Sequence, residues 1–220
     1  MIELPDFERA WDFENGFYLT SDPSRLGKLL AHYELFRLAM AAPGAIVECG
    51  VFKGASLARF AMFRRLFDRA AERPIVGFDS FGPFPTTAHE PDQALRERFI
   101  SAAGGESIST DQLRQVLARK GCGEDVELVA GDITRTVPEY LAKYPELTIS
   151  LLNLDTDLYE PAQVILEQLY PRIAPGGILL LDDYGVFPGE TRAVDEYFGG
   201  QAEIRRLSFG ATPAYVVKEA

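Results

Sequence analysis

"AIVECGVFKGASLARFAMFRRLFDRAAERPIVGFDSF", residues 45–81, decides the fold class. "AIVECG" and "PIVGFDSF" are short, unbroken apolar runs, the pattern of strands buried on both faces. Between them "ASLARFAMFRRLFDRA" reads as a helix. Strand, helix, strand in that order is a βαβ unit, whose two strands lie parallel and whose crossover is right-handed.

Downstream the alternation continues with strands "VELVAGD" (126–132), "TISLLNLD" (148–155) and "GILLLDD" (177–183). Helical patterns "VPEYLAKY" (137–144) and "PAQVILEQLYPRI" (161–173) separate them, and others are expected near 110–119 and 191–198. "AEIRRL" and "PAYVVKE" read as two closing strands. Upstream, Ser24 is the expected cap of a helix over 25–41, stopped by Pro43-Gly44. The prediction is one α/β domain over 1–220, a doubly wound, mainly parallel seven-stranded sheet with helices on both faces and an antiparallel last strand. Residues 1–43 are expected as an N-terminal helical extension, and the Pro-rich stretch 82–105 is read as a lid or acceptor-binding insertion.

The 220 residues are 47% hydrophobic and 25% charged, enough for one large core. With 22 basic against 33 acidic residues, net −11, nucleic acid and anionic membrane surfaces are poor partners. No window approaches the roughly 20 apolar residues of a membrane span, and the acidic start lacks the pattern of a signal peptide. Cys49 and Cys122 have neither disulfide-framework nor zinc-ligand spacing. The cytoplasm is the expected compartment.

In sheets of this class the ligand sits beyond the carboxyl ends of the strands. After the first strand, Gly50 permits a sharp turn and Gly54 a close approach to the next helix. The spacing is neither the dinucleotide fingerprint nor the phosphate loop. Glu48 ends that strand, Asp79 and Ser80 the second, Asp132 the third. A carboxylate at the position of Asp79 suits ribose hydroxyls; Asp132 reads equally as an adenine contact or a helix cap. Four aspartates, Asp155, Asp157, Asp182 and Asp183, end two further apolar runs, where burial and mutual repulsion are costly.

"ECGVFKGAS", "GFDSF", "GD" and "APGGILLLDDY" resemble, in order, the motifs of class I S-adenosylmethionine-dependent methyltransferases. "VECGVFKGAS", "IVGFDSFGPFP", "LDTDLYEP" and "LLLDDYGVFPGETRAVDEYF" are similar, more narrowly, to the macrocin O-methyltransferase family of sugar-methylating, antibiotic-tailoring enzymes, over about 46–198. The resemblance implies S-adenosylmethionine and a divalent cation, usually magnesium, as cofactors. It implies Asp155, Asp182 and Asp183 as cation ligands and Asp157 as general base. The cofactor falls to Glu48, Gly50, Gly54, Ser56, Asp79, Ser80 and Asp132, with Glu48 facing the methionine ammonium group. The expected partner is a small glycoside or sugar, and a homo-oligomer is expected by resemblance.

His89, Tyr159 and Tyr184 are candidate acceptor contacts. His32 reads as a packed or surface residue, and Trp11 with its aromatic neighbours as a cover for the site or an oligomer contact. Two other functions fit the pattern: a metal-dependent methyltransferase of catechol-like acceptors, and an NAD-dependent oxidoreductase or nucleotide-binding module. The missing dinucleotide fingerprint counts against the latter enzyme, and the aspartate set against a mere binder.

Overall fold

The computed structural model describes residues 2–68, 73–210 and 212–219. Seven strands form one sheet: β1 (Ala45–Cys49), β2 (Ile75–Asp79), β3 (Val126–Ala130), β4 (Ile149–Leu154), β5 (Ile173–Leu181), β6 (Arg205–Arg206) and β7 (Ala214–Val217). Their order is β3-β2-β1-β4-β5-β7-β6, with β1 to β5 parallel and β7 antiparallel to its neighbours. The sheet reverses direction of growth at β1 and β4, the switch point where ligands sit.

Among the described residues eight α-helices accompany it: α1 (Ala10–Thr20), α2 (Pro23–Ala39), α3 (Ala55–Phe67), α4 (Glu90–Ala103), α5 (Thr110–Arg119), α6 (Ile133–Lys143), α7 (Tyr159–Gln168) and α8 (Pro188–Phe198). The period of two along the strands divides the core. Leu152, Leu154, Leu179 and Leu181 face α6, α7 and α8, whereas Leu151, Ile178 and Leu180 face α2, α3 and α5. Each such side chain contributes roughly 1.5–3 kcal/mol by leaving water.

Three boundaries differ from the sequence reading. Asp22, not Ser24, caps α2: its carboxylate accepts the Ser24 N–H at 2.9 Å, and Pro23 takes the first helical position, where a missing N–H costs nothing. Pro175-Gly176-Gly177 does not precede β5 but lies within it, and the register with β4 jumps there from Ile149↔Ile173 to Leu151↔Ile178. The "AEIRRL" strand shrinks to two paired residues at the sheet edge.

The N-terminal region divides in two. α2 buries Ala31, His32, Leu35, Phe36 and Ala39 against the sheet. α1 buries nothing within the chain, and Trp11 is 76% exposed. The insertion contains α4 and is fastened down: Glu160 accepts from Thr87 Oγ1 at 2.9 Å and Ala88 N at 2.8 Å, and Arg96 donates to the Phe84 and Pro85 carbonyls.

Candidate active site

At the carboxyl end of β1 the chain must turn beneath the neighbouring strand. Gly50 has φ +93°, and a Cβ there would lie 1.7 Å from the Asp155 carbonyl oxygen, so β1 and the loop after β4 touch through a glycine. Gly54, at φ +81°, then opens α3. Asp79 Oδ2 crosses from β2 to accept the N–H groups of Val51 and Phe52, both at 2.9 Å, while its Oδ1 accepts Phe81 N at 2.7 Å. Asp79 thus holds the glycine turn in place, and Ser80 joins it by donating to Asp79 Oδ1 and the Pro83 carbonyl.

This turn forms one side of a cleft of about 840 Å³, within the range that encloses a small molecule. Gly50, Ser56, Asp79, Ser80, Asp132 and all four aspartates of the β4 and β5 ends line it. Phe52, Phe84 and Phe99 form an aromatic wall, their centroids 5.2–6.3 Å apart. Asp132 does cap α6, accepting from Thr134 N at 2.9 Å, yet it stays exposed on the cleft rim.

Glu48 and Gly54 lie behind the surface. Glu48 is fully buried, its Oε1 accepting Ser56 Oγ at 2.6 Å and its Oε2 lacking a partner. Burial raises its pKa to about 8, which keeps it neutral at pH 7. A neutral, fully buried carboxyl one serine away from the cleft reaches a ligand only through Ser56 Oγ.

The aspartates separate by environment. One carboxylate oxygen from each of Asp155, Asp157 and Asp183 lies within 4.8 Å of the others. Burial and then mutual repulsion raise Asp155 well above the ordinary range; burial and then the Asp157 and Asp182 charges do the same to Asp183. Asp157 is pushed up to about 7, chiefly by burial. It also sits at φ +62°, a left-handed conformation that Asp and Asn tolerate better than most residues.

Asp182 points elsewhere. Its Oδ2 is ion-paired with Lys28 Nζ, and its Oδ1 lies 3.5 Å from His32 Nε2. Arg59 Nη1 approaches His32 Nδ1 at 3.0 Å. Because arginine can only donate, Nδ1 is the acceptor and the His32 proton sits on Nε2, toward Asp182. Burial would raise Asp182, but Lys28 and His32 outweigh it and hold its pKa low. Lys28 is likewise held protonated: burial opposes this, and Asp155 and Asp182 override it.

Lys28, His32 and Arg59 were not legible as site residues, since a polar residue on a helix gives no spacing signal of its own. The converse holds for His89, Tyr159 and Tyr184, none of which lines the cleft. His89 stacks on Tyr159 at 4.9 Å, and the Tyr159 and Tyr184 hydroxyls donate to Glu196 and Asp195.

The donor set fits a hard cation. Three oxygen donors gather in one place, where Lys28 and, at Asp155, Arg59 supply opposing charge, and magnesium is commonly bound through one or two carboxylates plus other oxygens. Asp155, Asp157 and Asp183 are the group within ligand spacing; Asp182 is already paired.

The strand order, with its reversed β7 and its glycine turn after β1, is the class I methyltransferase fold. Within that class the chain belongs to the macrocin O-methyltransferase (TylF) family, whose model matches residues 24–205. Over 151 residues it is 32% identical to the 8-demethyl-8-(2,3-dimethoxy-alpha-L-rhamnosyl)-tetracenomycin-C 4'-O-methyltransferase of Streptomyces olivaceus, covering 68% of this chain and 56% of that protein. Over 157 residues it is 29% identical to the demethyldecarbamoylnovobiocin O-methyltransferase of Streptomyces niveus, covering 70% and 58%. The calicheamicin methyltransferase CalS11 superposes with a TM-score of 0.77 at 30% identity, covering 94% of this chain and 84% of that one. These matches span less than two thirds of the two Streptomyces proteins' own lengths. No helix among the described residues is long and apolar enough to cross a membrane.

Proposed function

We propose that this chain is an S-adenosylmethionine-dependent, divalent-cation-dependent O-methyltransferase acting on a sugar hydroxyl of a small natural product. The observation that carries the reading is the meeting of Asp155, Asp157 and Asp183 in the same cleft as the Gly50 to Ser56 turn. The names of the two relatives state an O-methyl transfer, the first on a rhamnosyl-bearing tetracenomycin and the second on demethyldecarbamoylnovobiocin.

When bound, S-adenosylmethionine supplies an activated methyl group and the cation supplies positive charge that makes a hydroxyl more acidic. The turn at Gly50 and Gly54, Ser56, Asp79, Ser80 and Asp132 position the cofactor, and Glu48 acts behind Ser56 on the methionine end. Asp155 and Asp183 are the assigned cation ligands. Asp157 takes the hydroxyl proton as general base. Asp182, tied to Lys28 and His32, braces α2 against the floor of the site. The insertion walls the cleft and excludes water from the reacting atoms.

The test is incubation with methyl-labelled S-adenosylmethionine and a panel of sugar nucleotides, glycosides and catechols, with magnesium or with chelator. Label should enter a sugar hydroxyl only with magnesium. Exclusive labelling of a catechol, for which the wall of Phe52, Phe84 and Phe99 is also suited, would replace the sugar reading.

Glu48→Gln separates binding from stability. A carboxyl whose pKa is raised on folding stabilises most below its ordinary value and loses that contribution as pH rises through about 8. The amide resembles the neutral acid, so the variant should melt at or above the wild-type temperature at pH 7, with the gap widening toward pH 8. Its affinity for S-adenosylhomocysteine should fall about tenfold, the scale of one lost hydrogen bond. Unchanged affinity by calorimetry would remove Glu48 from the cofactor site.

A further inference from the structure

Neither α7 nor α8 has a side-chain cap of its own: Leu158 and Phe187 occupy their N-cap positions. Both helices begin just beyond the paired aspartates, α7 after Asp155 and Asp157, α8 after Asp182 and Asp183. Their N-terminal N–H groups must find acceptors, because buried orphans are costly. The acceptor comes from a third helix. Asp92, in the first turn of α4 and completely buried, accepts Tyr159 N on Oδ2 at 3.1 Å and Gly189 N on Oδ1 at 2.7 Å.

The fit leaves no slack. A Cβ at Gly189 would lie 2.0 Å from Asp92 Oδ2 and 2.6 Å from Tyr159 N, so only glycine admits the three backbones to one carboxylate. His89 Nδ1 lies 3.1 Å from the same Oδ2 but makes no hydrogen bond to it. Glu190, also fully buried, continues the arrangement by accepting Asp183 N at 3.0 Å.

We infer that Asp92 is a positioning residue that fixes the two acidic loops relative to one another by capping α7 and α8 with a single carboxylate. The insertion is then a brace for the site as well as its wall. The consequence for cation binding rests on the metal reading of Asp155, Asp157 and Asp183; the brace itself does not.

The deciding experiment is amide hydrogen exchange on the full chain, wild type against Asp92→Asn and Gly189→Ala, with manganese affinity followed by electron paramagnetic resonance and S-adenosylhomocysteine affinity by calorimetry. Asp92→Asn keeps the shape but puts an NH₂ where one N–H needs an acceptor; Gly189→Ala disturbs the same contact from the opposite side. Exchange at the starts of both α7 and α8 should accelerate at least tenfold in each variant while their C-terminal turns stay protected. Manganese affinity should fall about tenfold, and S-adenosylhomocysteine affinity should stay within twofold, a split that general loosening of the fold would not give. Unchanged exchange at both helix starts, or equal losses of manganese and cofactor affinity, would overturn the inference. A wild-type protein that binds no manganese, with exchange accelerated as stated, would remove the metal reading and leave the brace standing.

Discussion

Asp157→Asn should lower turnover by about 10³-fold, within the 10²–10⁴ that general acid–base catalysis contributes, while S-adenosylhomocysteine binds within two- to threefold of wild type. Asn is the informative replacement because position 157 is left-handed at φ +62°, and Asn accepts that conformation as Asp does. Alanine would add backbone strain to the chemical loss. The amide cannot take a proton from a hydroxyl, yet it keeps an oxygen in the cluster. Burial, aided by the charges of Asp155 and Asp182, brings Asp157 to about 7 in the cation-free chain; a bound cation draws it back down, and the rate of the wild type should climb as pH rises through the resulting value. Steady-state rates and calorimetry on the same preparation decide it. Full activity would take Asp157 out of the mechanism, and a parallel collapse of manganese affinity would make it a ligand.

Magnesium should raise the melting temperature, and by more at pH 8 than at pH 5. Asp155, Asp157 and Asp183 all have pKa values raised by burial and by one another. Carboxyls raised in this way stabilise the folded chain at acid pH, where they are protonated, and lose that contribution as pH climbs through about 7. The chelated protein should accordingly melt progressively lower from pH 5 to pH 8. A cation offsets the repulsion that ionisation creates. At a hundred times its dissociation constant, it adds about 2.7 kcal/mol, which for a chain of this size is about 5–10 °C. Calorimetric scans across pH, with magnesium and with chelator, check both the sign and the trend. A shift that is absent, or larger at pH 5, would contradict a cation site.

The sheet was legible because buried strands and amphipathic helices have different periods, and because the ends of the strands carry the residues that need the switch point. The aspartates could be found by the same rule, since a charged group at the end of an apolar run requires an explanation. What could not be read was which carboxylate meets which partner. Asp182 and Asp183 are adjacent, so their side chains leave the strand end in different directions; Asp182 meets α2, and Asp183 meets Asp155 and Asp157. Lys28 and His32 come from more than a hundred residues upstream, in a helix outside the motifs that carried the resemblance, although the family match begins at residue 24 and takes them in. Asp79 illustrates a further limit. A strand-end carboxylate near a glycine turn suits a ribose, but the sequence gives no sign that its oxygens also accept three backbone N–H groups of that turn. No pattern in the sequence marks Asp92, because its partners are backbone groups of two helices far along the chain.

Isothermal titration of S-adenosylhomocysteine into the purified protein, once with magnesium and once with chelator, tests most directly the claim that this cleft is a cofactor site beside an acidic cation centre. The account predicts micromolar, one-to-one binding. Absence of heat under both conditions would contradict it.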